Sequence, residues 1–252
     1  MKIIYPENIS SISASNEDVN FPAENLEDDH PKKKWMGTEQ TADITIGSIS
    51  STGMAIFKTN AQSLVMTITE GQSISWDSAS WDTDIAWDDN IATPGFTYEL
   101  SGEDEGAGWV EWGARTTSHT ITISLDAGAG NIIEAGIIRV GIINNFRDPL
   151  MGLQENLVDY SIVKELNNGA FYVRKRDVVR EFTGELDIKR DDDFYSFMMD
   201  ILKKKGQKPM AVRLSTSLTN WQWIIYGRMI SAYGTHDLPE YSKIQFNLRE
   251  VL

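Results

Sequence analysis

Apolar and polar residues change places at every second position along much of this 252-residue chain, and that period confines it to sheet. Ala42, Ile44 and Ile46 alternate with Asp43 and Thr45; Leu64, Met66 and Ile68 repeat the pattern; Ile121, Ile123 and Leu125 alternate with Thr120, Thr122 and Ser124. Successive side chains of a strand point to opposite faces, so each segment reads as a half-buried strand with its aliphatic side on a core. The same period returns in Phe182, Gly184, Leu186 and Ile188, over Met210 to Leu214, and in Ile244, Phe246 and Leu248.

Two interruptions organise the strands. A glycine-rich turn over Asp126 to Asn131 precedes the apolar run Ile132 to Ile143, and then Asn144-Asn145, Asp148-Pro149 and Gly152 break the pattern. Clusters of this kind mark loops and domain junctions, which places a boundary near 148. The expected architecture is mostly β: an N-terminal jelly-roll β-sandwich over 1–147 and a C-terminal antiparallel β domain over 148–252. The second domain holds one amphipathic helix near 192–205. Its Phe194, Phe197, Met198, Ile201 and Leu202 recur at helical spacing, with Asp191 to Asp193 before it, Lys203 to Lys205 at its end and Gly206 as its stop. Trp221 to Tyr226, apolar at most positions, reads as a strand covered on both sides.

With 41% hydrophobic and 24% charged residues the chain has the makings of a core. A net charge of −14 and a pI near 4.6 set it against nucleic-acid phosphates and anionic membranes as partners. There is no cysteine, so disulfides and thiolate metal sites are excluded. No stretch approaches the roughly 18 apolar residues a bilayer span requires, and no secretion signal is visible, so membrane insertion is not expected.

Few residues in the sequence point to catalytic or metal chemistry. His30, His119 and His236 lie far apart without metal-site spacing, and no nucleophile elbow, P-loop or dinucleotide fingerprint is present. Asp82, Asp84, Asp88 and Asp89 resemble a calcium loop only loosely, and Asp191 to Asp193 are read as helix caps. The expectation is therefore a protein that is not an enzyme and has no cofactor and no metal. More distinctive are Trp76, Trp81, Trp87, Trp109 and Trp112, crowded with acidic residues. Tryptophan rings stack on sugar rings, but they also build cores and subunit interfaces, and all three readings stay open. The basic run Arg174-Lys175-Arg176, with Arg180, is a candidate subunit interface for an acidic neighbour, or a strand edge protected by charge.

Phe21-Pro22-Ala23-Glu24-Asn25-Leu26, then Asp28, Pro31 and Trp35-Met36-Gly37-Thr38, resembles the opening of the discoidin-like (galactose-binding-like) domains of bacteriophage tail proteins. The likeness continues through Ala42 to Ile49 and Met54 to Asn60 and covers roughly the first 140 residues. In the second half, Ile137 to Gly141, Asp159-Tyr160-Ser161, Arg180 to Leu186, the helix, Gly206 to Leu214 and Tyr226-Gly227-Arg228 are similar in order to the elements of distal tail proteins. The resemblance implies a structural virion component of a tail tip or baseplate, made in the host cytoplasm. It would assemble as a homo-oligomeric ring beside other tail proteins such as tube, hub and tape measure. A host-surface glycan, held by the tryptophans in the manner of a carbohydrate-binding module, is the alternative.

Overall fold

The computed structural model describes residues 1–48, 50–70, 72–74, 106–115, 118–149, 152–165, 171–189, 192–215, 223–236 and 241–251. In chain order the strands are β1 (Lys2–Glu7), β2 (Ile9–Ala14), β3 (Trp35–Met36), β4 (Thr41–Ser48), β5 (Ser51–Thr59) and β6 (Ser63–Glu70). They continue with β7 (Gln72–Ile74), β8 (Gly106–Arg115), β9 (His119–Asp126), β10 (Glu134–Ala135), β11 (Ile137–Asn145) and β12 (Gln154–Asp159). The last are β13 (Ile162–Glu165), β14 (Phe171–Arg174), β15 (Val178–Lys189), β16 (Met210–Arg213), β17 (Ile224–Thr235) and β18 (Tyr241–Glu250). One helix, α1 (192–205), and a 3-10 turn at Ala23–Glu27 complete the described elements. The chain is mostly β, as its periodicity requires.

Two compact units share these elements. One holds Lys2–Asn145 together with Ala211–Ile225; the other holds Met1, Phe146–Met210 and Tyr226–Leu252. Each is therefore built from more than one stretch of sequence, in contrast to the two intervals 1–147 and 148–252.

The N-terminal unit is a sandwich. Its first sheet runs β16-β1-β11-β5-β8 and its second β2-β4-β9-β6-β7, with the pairings antiparallel. Met54, Ile56, Val110, Trp112, Ile138 and Val140 of the first sheet form one cluster with Ile44, Ile46, Met66, Ile121, Ile123 and Leu125 of the second. Full burial of each aliphatic side chain contributes on the order of 1.5–3 kcal/mol, so these layers dominate the unit's stability. The register follows from the pattern: Ile44 faces Ile123 and Ile123 faces Met66, while Thr45, Thr122 and Thr67 line the opposite face. A slip of one residue would invert both faces.

The C-terminal unit carries the antiparallel order β12-β15-β18-β17 and a separate hairpin, β13-β14. Phe182, Leu186 and Ile188 of β15 and Ile244, Phe246 and Leu248 of β18 are buried together with Phe194, Phe197 and Ile201 of α1. The helix is α-helical at Asp192–Tyr195, widens to π-helical over Ser196–Leu202 and closes as α-helix at Lys203–Lys205. Gly206 stops it at a positive φ of 64°, its N–H donating to the Leu202 carbonyl at 2.8 Å. Only a glycine admits the helix at Gly234, because a Cβ there would lie 2.6 Å from the Phe194 ring. On the outer face of this sheet, Glu181 accepts hydrogen bonds from Asn247 and Arg249, and Glu185 pairs with Lys243 at 3.1 Å.

Trp223 is half-buried and Ile224, Ile225 and Tyr226 are buried, in keeping with a strand covered on both sides, although the strand begins at Ile224. Trp221 and Asp191 lie outside the described residues.

Candidate functional site

Among the described residues nothing covers the outer face of the second sheet, and a hollow of about 330 Å³ lies at one end of that face. Its polar lining comes from strand alternation: Asp43, Ser124 and Val65 stand in one cross-strand row, Thr41, Asp126 and Ser63 in the next. Ser124 Oγ donates to Asp43 at 2.5 Å. Asp126 accepts hydrogen bonds from Gln40 Nε2 at 2.8 Å and from the Gly128 N–H at 2.7 Å. These bonds, the Gln40 one foremost, hold its carboxyl below the usual carboxylate range, so it is ionised at neutral pH. Hydroxyls and carboxylates without an aromatic platform can accept and donate hydrogen bonds but offer a sugar ring no face to stack on.

The described tryptophans are elsewhere. Trp109 and Trp112 are both buried, on opposite faces of β8. Trp112 belongs to the sandwich core and donates its indole N–H to the Ser51 carbonyl at 3.1 Å. Trp109 points to the other side, where its N–H donates to Glu111 at 2.8 Å. Glu111 also accepts from Lys2 at 2.5 Å and meets Arg213 at 3.3 Å, so the ring sits beside a local charge network. In both cases the indole N–H is satisfied by protein, and neither ring is presented to solvent. Trp76, Trp81 and Trp87 lie outside the described residues, as do Asp82, Asp84, Asp88 and Asp89.

On that same side, two strands from Trp109 in register, stands Arg139, buried at 1% exposure. Its guanidinium donates to the Leu26 carbonyl at 3.2 Å, the Asp28 carbonyl at 3.0 Å and Asp29 Oδ1 at 3.0 Å. It ties off the C-terminal end of the 3-10 turn built from the Pro22-Ala23-Glu24-Asn25-Leu26 segment. Arg139 is a structural cation that periodicity did not single out.

The basic candidates separate into two groups. Arg180 is engaged within its own unit, its Nε and Nη2 donating to Glu250 at 3.1 and 2.8 Å while the guanidinium lies 5.7 Å from the Phe182 ring centre. Arg174, Lys175 and Arg176 are exposed, at the end of the β13-β14 hairpin. All eight residues of the two hairpin strands are exposed, among them Val163 at 62%, Phe171 at 66%, Tyr172 at 55% and Val173 at 57%. The base of the hairpin is ordered: Asp159 Oδ1 accepts the Ser161 N–H at 2.7 Å, and Ser161 Oγ accepts the Arg176 N–H at 3.0 Å. The bond to Ser161 and the charge of Lys175 lower the Asp159 pKa. Next to the hairpin, the edge strand β12 exposes Leu157.

The histidines do not converge. His119 Nε2 shares a 2.7 Å hydrogen bond with Ser51 Oγ, but both residues are buried, which denies a substrate access to the hydroxyl. His236 Nδ1 bonds Ser242 Oγ at 2.7 Å with its ring 4.7 Å from that of Phe194. Among the described residues no group of three or more acidic or histidine side chains is arranged to hold a metal ion, and no helix is long and apolar enough to cross a membrane.

No family model and no curated protein matches the sequence. Among solved structures, chitosan-binding module 1 derived from a chitosanase/glucanase of Paenibacillus sp. IK-5 aligns over 54% of this chain and 98% of its own, at 14% identity and a TM-score of 0.37. Reduced XRCC1, solved bound to the DNA pol beta catalytic domain, aligns over 56% of this chain and 98% of its own, at 15% identity and a TM-score of 0.34. Likenesses of this size carry no argument about function, and the sandwich stands on its own sheets.

Proposed function

We propose that this chain is a structural, non-catalytic subunit of a bacteriophage tail tip or baseplate that acts by assembling with copies of itself and with neighbouring tail proteins. The carrying observation is the β13-β14 hairpin, two strands with large apolar side chains exposed on both faces. A lone two-stranded hairpin in water is marginal, and an exposed apolar group of this kind marks a protein-protein contact. The tail context comes from the resemblance of roughly the first 140 residues and of the order of elements in the second half. An assembly subunit needs rigid sheets and tied ends, and the internal Arg139 and Glu181 networks are of that kind. Its place would be the virion tail, after synthesis in the host cytoplasm, with tube, hub and tape-measure proteins as neighbours.

Mass spectrometry of tails purified from particles that carry this gene tests the reading. The chain is expected in the tail fraction at a fixed ratio to the tube protein. Its absence from purified tails would overturn the assignment.

A second reading, a carbohydrate-binding module contacting host-surface glycan, draws on the hydroxyl and carboxylate lining of the sandwich hollow. Titration calorimetry with host polysaccharide tests it: binding that is lost on Asp43→Ala supports it, and no heat at millimolar sugar rejects it.

A further inference from the structure

We infer that the outer face of the β15-β18-β17 sheet, flanked by Tyr233 and Tyr160, is a binding surface for an uncharged polysaccharide. This goes beyond the tail-subunit reading. It shares its ligand class with the second reading above but places the site on the C-terminal unit, away from the sandwich hollow.

Strand pairing assembles the face row by row. It sets Tyr233 beside Gln245, Thr183 beside Gln154 one row on, and Asn156 beside Glu181 in the row after. The alternate residues Phe182, Phe246 and Leu248 are buried, so these six point to the other side of the sheet. Tyr233, Gln245, Thr183, Gln154 and Asn156 are all exposed.

Charge selects the ligand class. The ionised groups of this face pair with one another, Arg249 with Glu181 at 3.0 Å and Lys243 with Glu185 at 3.1 Å. A polyanion would meet Glu181 and Glu185, and a polycation would meet Arg249 and Lys243. None of the five exposed residues is aliphatic, so the face lacks the apolar centre on which protein interfaces are built. Gln154, Asn156 and Thr183 have no side-chain hydrogen bond among the described residues. Amides and hydroxyls both donate and accept, which suits the neighbouring hydroxyls of a sugar.

The aromatic rings supply what the hollow lacks. Tyr233 is 66% exposed and Tyr160 39%, and the Arg249 guanidinium lies 5.8 Å from the Tyr160 ring centre. An exposed tyrosine ring offers the apolar side of a sugar a surface to stack on while its hydroxyl stays wet. From Gln245 to Arg249 the strand runs about 13 Å. That track is longer than one hexose, so the fitting ligand is a chain of several.

Affinity electrophoresis of the intact chain tests the inference. Native gels carry dextran, galactomannan or mixed-linkage β-glucan, with polygalacturonate as the charged control. Retardation by at least one neutral polymer and not by polygalacturonate is expected. In that gel Tyr233→Ala should weaken the apparent affinity about tenfold, Tyr233→Phe should retain it, and Asp43→Ala should leave it unchanged. No retardation by any of the three neutral polymers, or equal retardation by polygalacturonate, would overturn the inference, as would binding that survives Tyr233→Ala combined with Asn156→Ala. Binding lost on Asp43→Ala but kept by Tyr233→Ala would overturn this site and sustain the hollow. Melting temperatures equal to that of the parent chain establish that the variants are folded. The tail-subunit reading is decided separately, by the composition of purified tails.

Discussion

The open faces of β4 and β9 and the strands of the hairpin β13-β14 are both solvent-exposed sheet, yet they differ in kind. On the sandwich, Thr45, Thr122 and Ser124 face water while Ile44, Ile121 and Ile123 face the core, so each strand resolves its own amphipathicity within the molecule. On the hairpin, Val163 and Phe171 share one face and Ile162 and Tyr172 the other, and both faces are exposed. The first arrangement is complete in one chain. The second is left open by the described residues, and that contrast supports the proposal that the C-terminal unit is the assembling part.

Substitutions can break the contrast, beginning with the interior. Trp112→Ala should cost about 4 kcal/mol, since it empties a large core site and strands the Ser51 carbonyl. Urea unfolding measures it. Arg139→Ala should cost about 3 kcal/mol by leaving the Asp28 and Leu26 carbonyls and the Asp29 carboxylate without their buried partner. Gly53→Ala should lose about 2 kcal/mol, because the new Cβ would lie 2.1 Å from Ile143 Cδ1 and 2.8 Å from the Val110 carbonyl. At the other extreme, Tyr172→Ser should change the stability of the isolated chain by less than about 0.5 kcal/mol while weakening association. A hairpin substitution as costly as Trp112→Ala would erase the distinction.

Acid titration sharpens it further. Glu181 has a lowered pKa, chiefly through the Asn247 hydrogen bond and then through Arg249, and Glu185 is lowered by Lys243 and Gln245. Both are depressed in the folded state, so their stabilisation is present above the ordinary carboxylate range and is lost as pH falls through their folded pKa values. The C-terminal unit should therefore lose stability on acidification, and Glu181→Gln should flatten that slope in a pH series of urea midpoints.

Much of the sandwich was legible because a half-buried strand writes its burial into every second residue: Ile44, Ile46, Ile121 and Ile123 announce their faces without a structure. Helix α1 was equally plain, since Phe194, Phe197 and Ile201 follow its turn and Gly206 its end. Arg139 was only half legible: it stands as a lone cation in the apolar run Ile132 to Ile143, but its partners belong to a 3-10 turn more than a hundred residues earlier. Nor does a strand pattern reveal which side of β8 holds Trp109 and which Trp112, since both sides of that strand are buried. The hairpin does leave a signal in the sequence, since Asn168-Gly169 between two β-prone runs is a turn dipeptide. Its exposure has no sequence signature, because it depends on which of the other described elements pack on it.

Light scattering of the intact 28.3 kDa chain across a concentration series addresses the central claim most directly. Assembly through the C-terminal unit predicts a defined oligomer at high concentration that reverts towards monomer when Tyr172→Ser is introduced. A mass equal to one chain at every concentration would contradict the account.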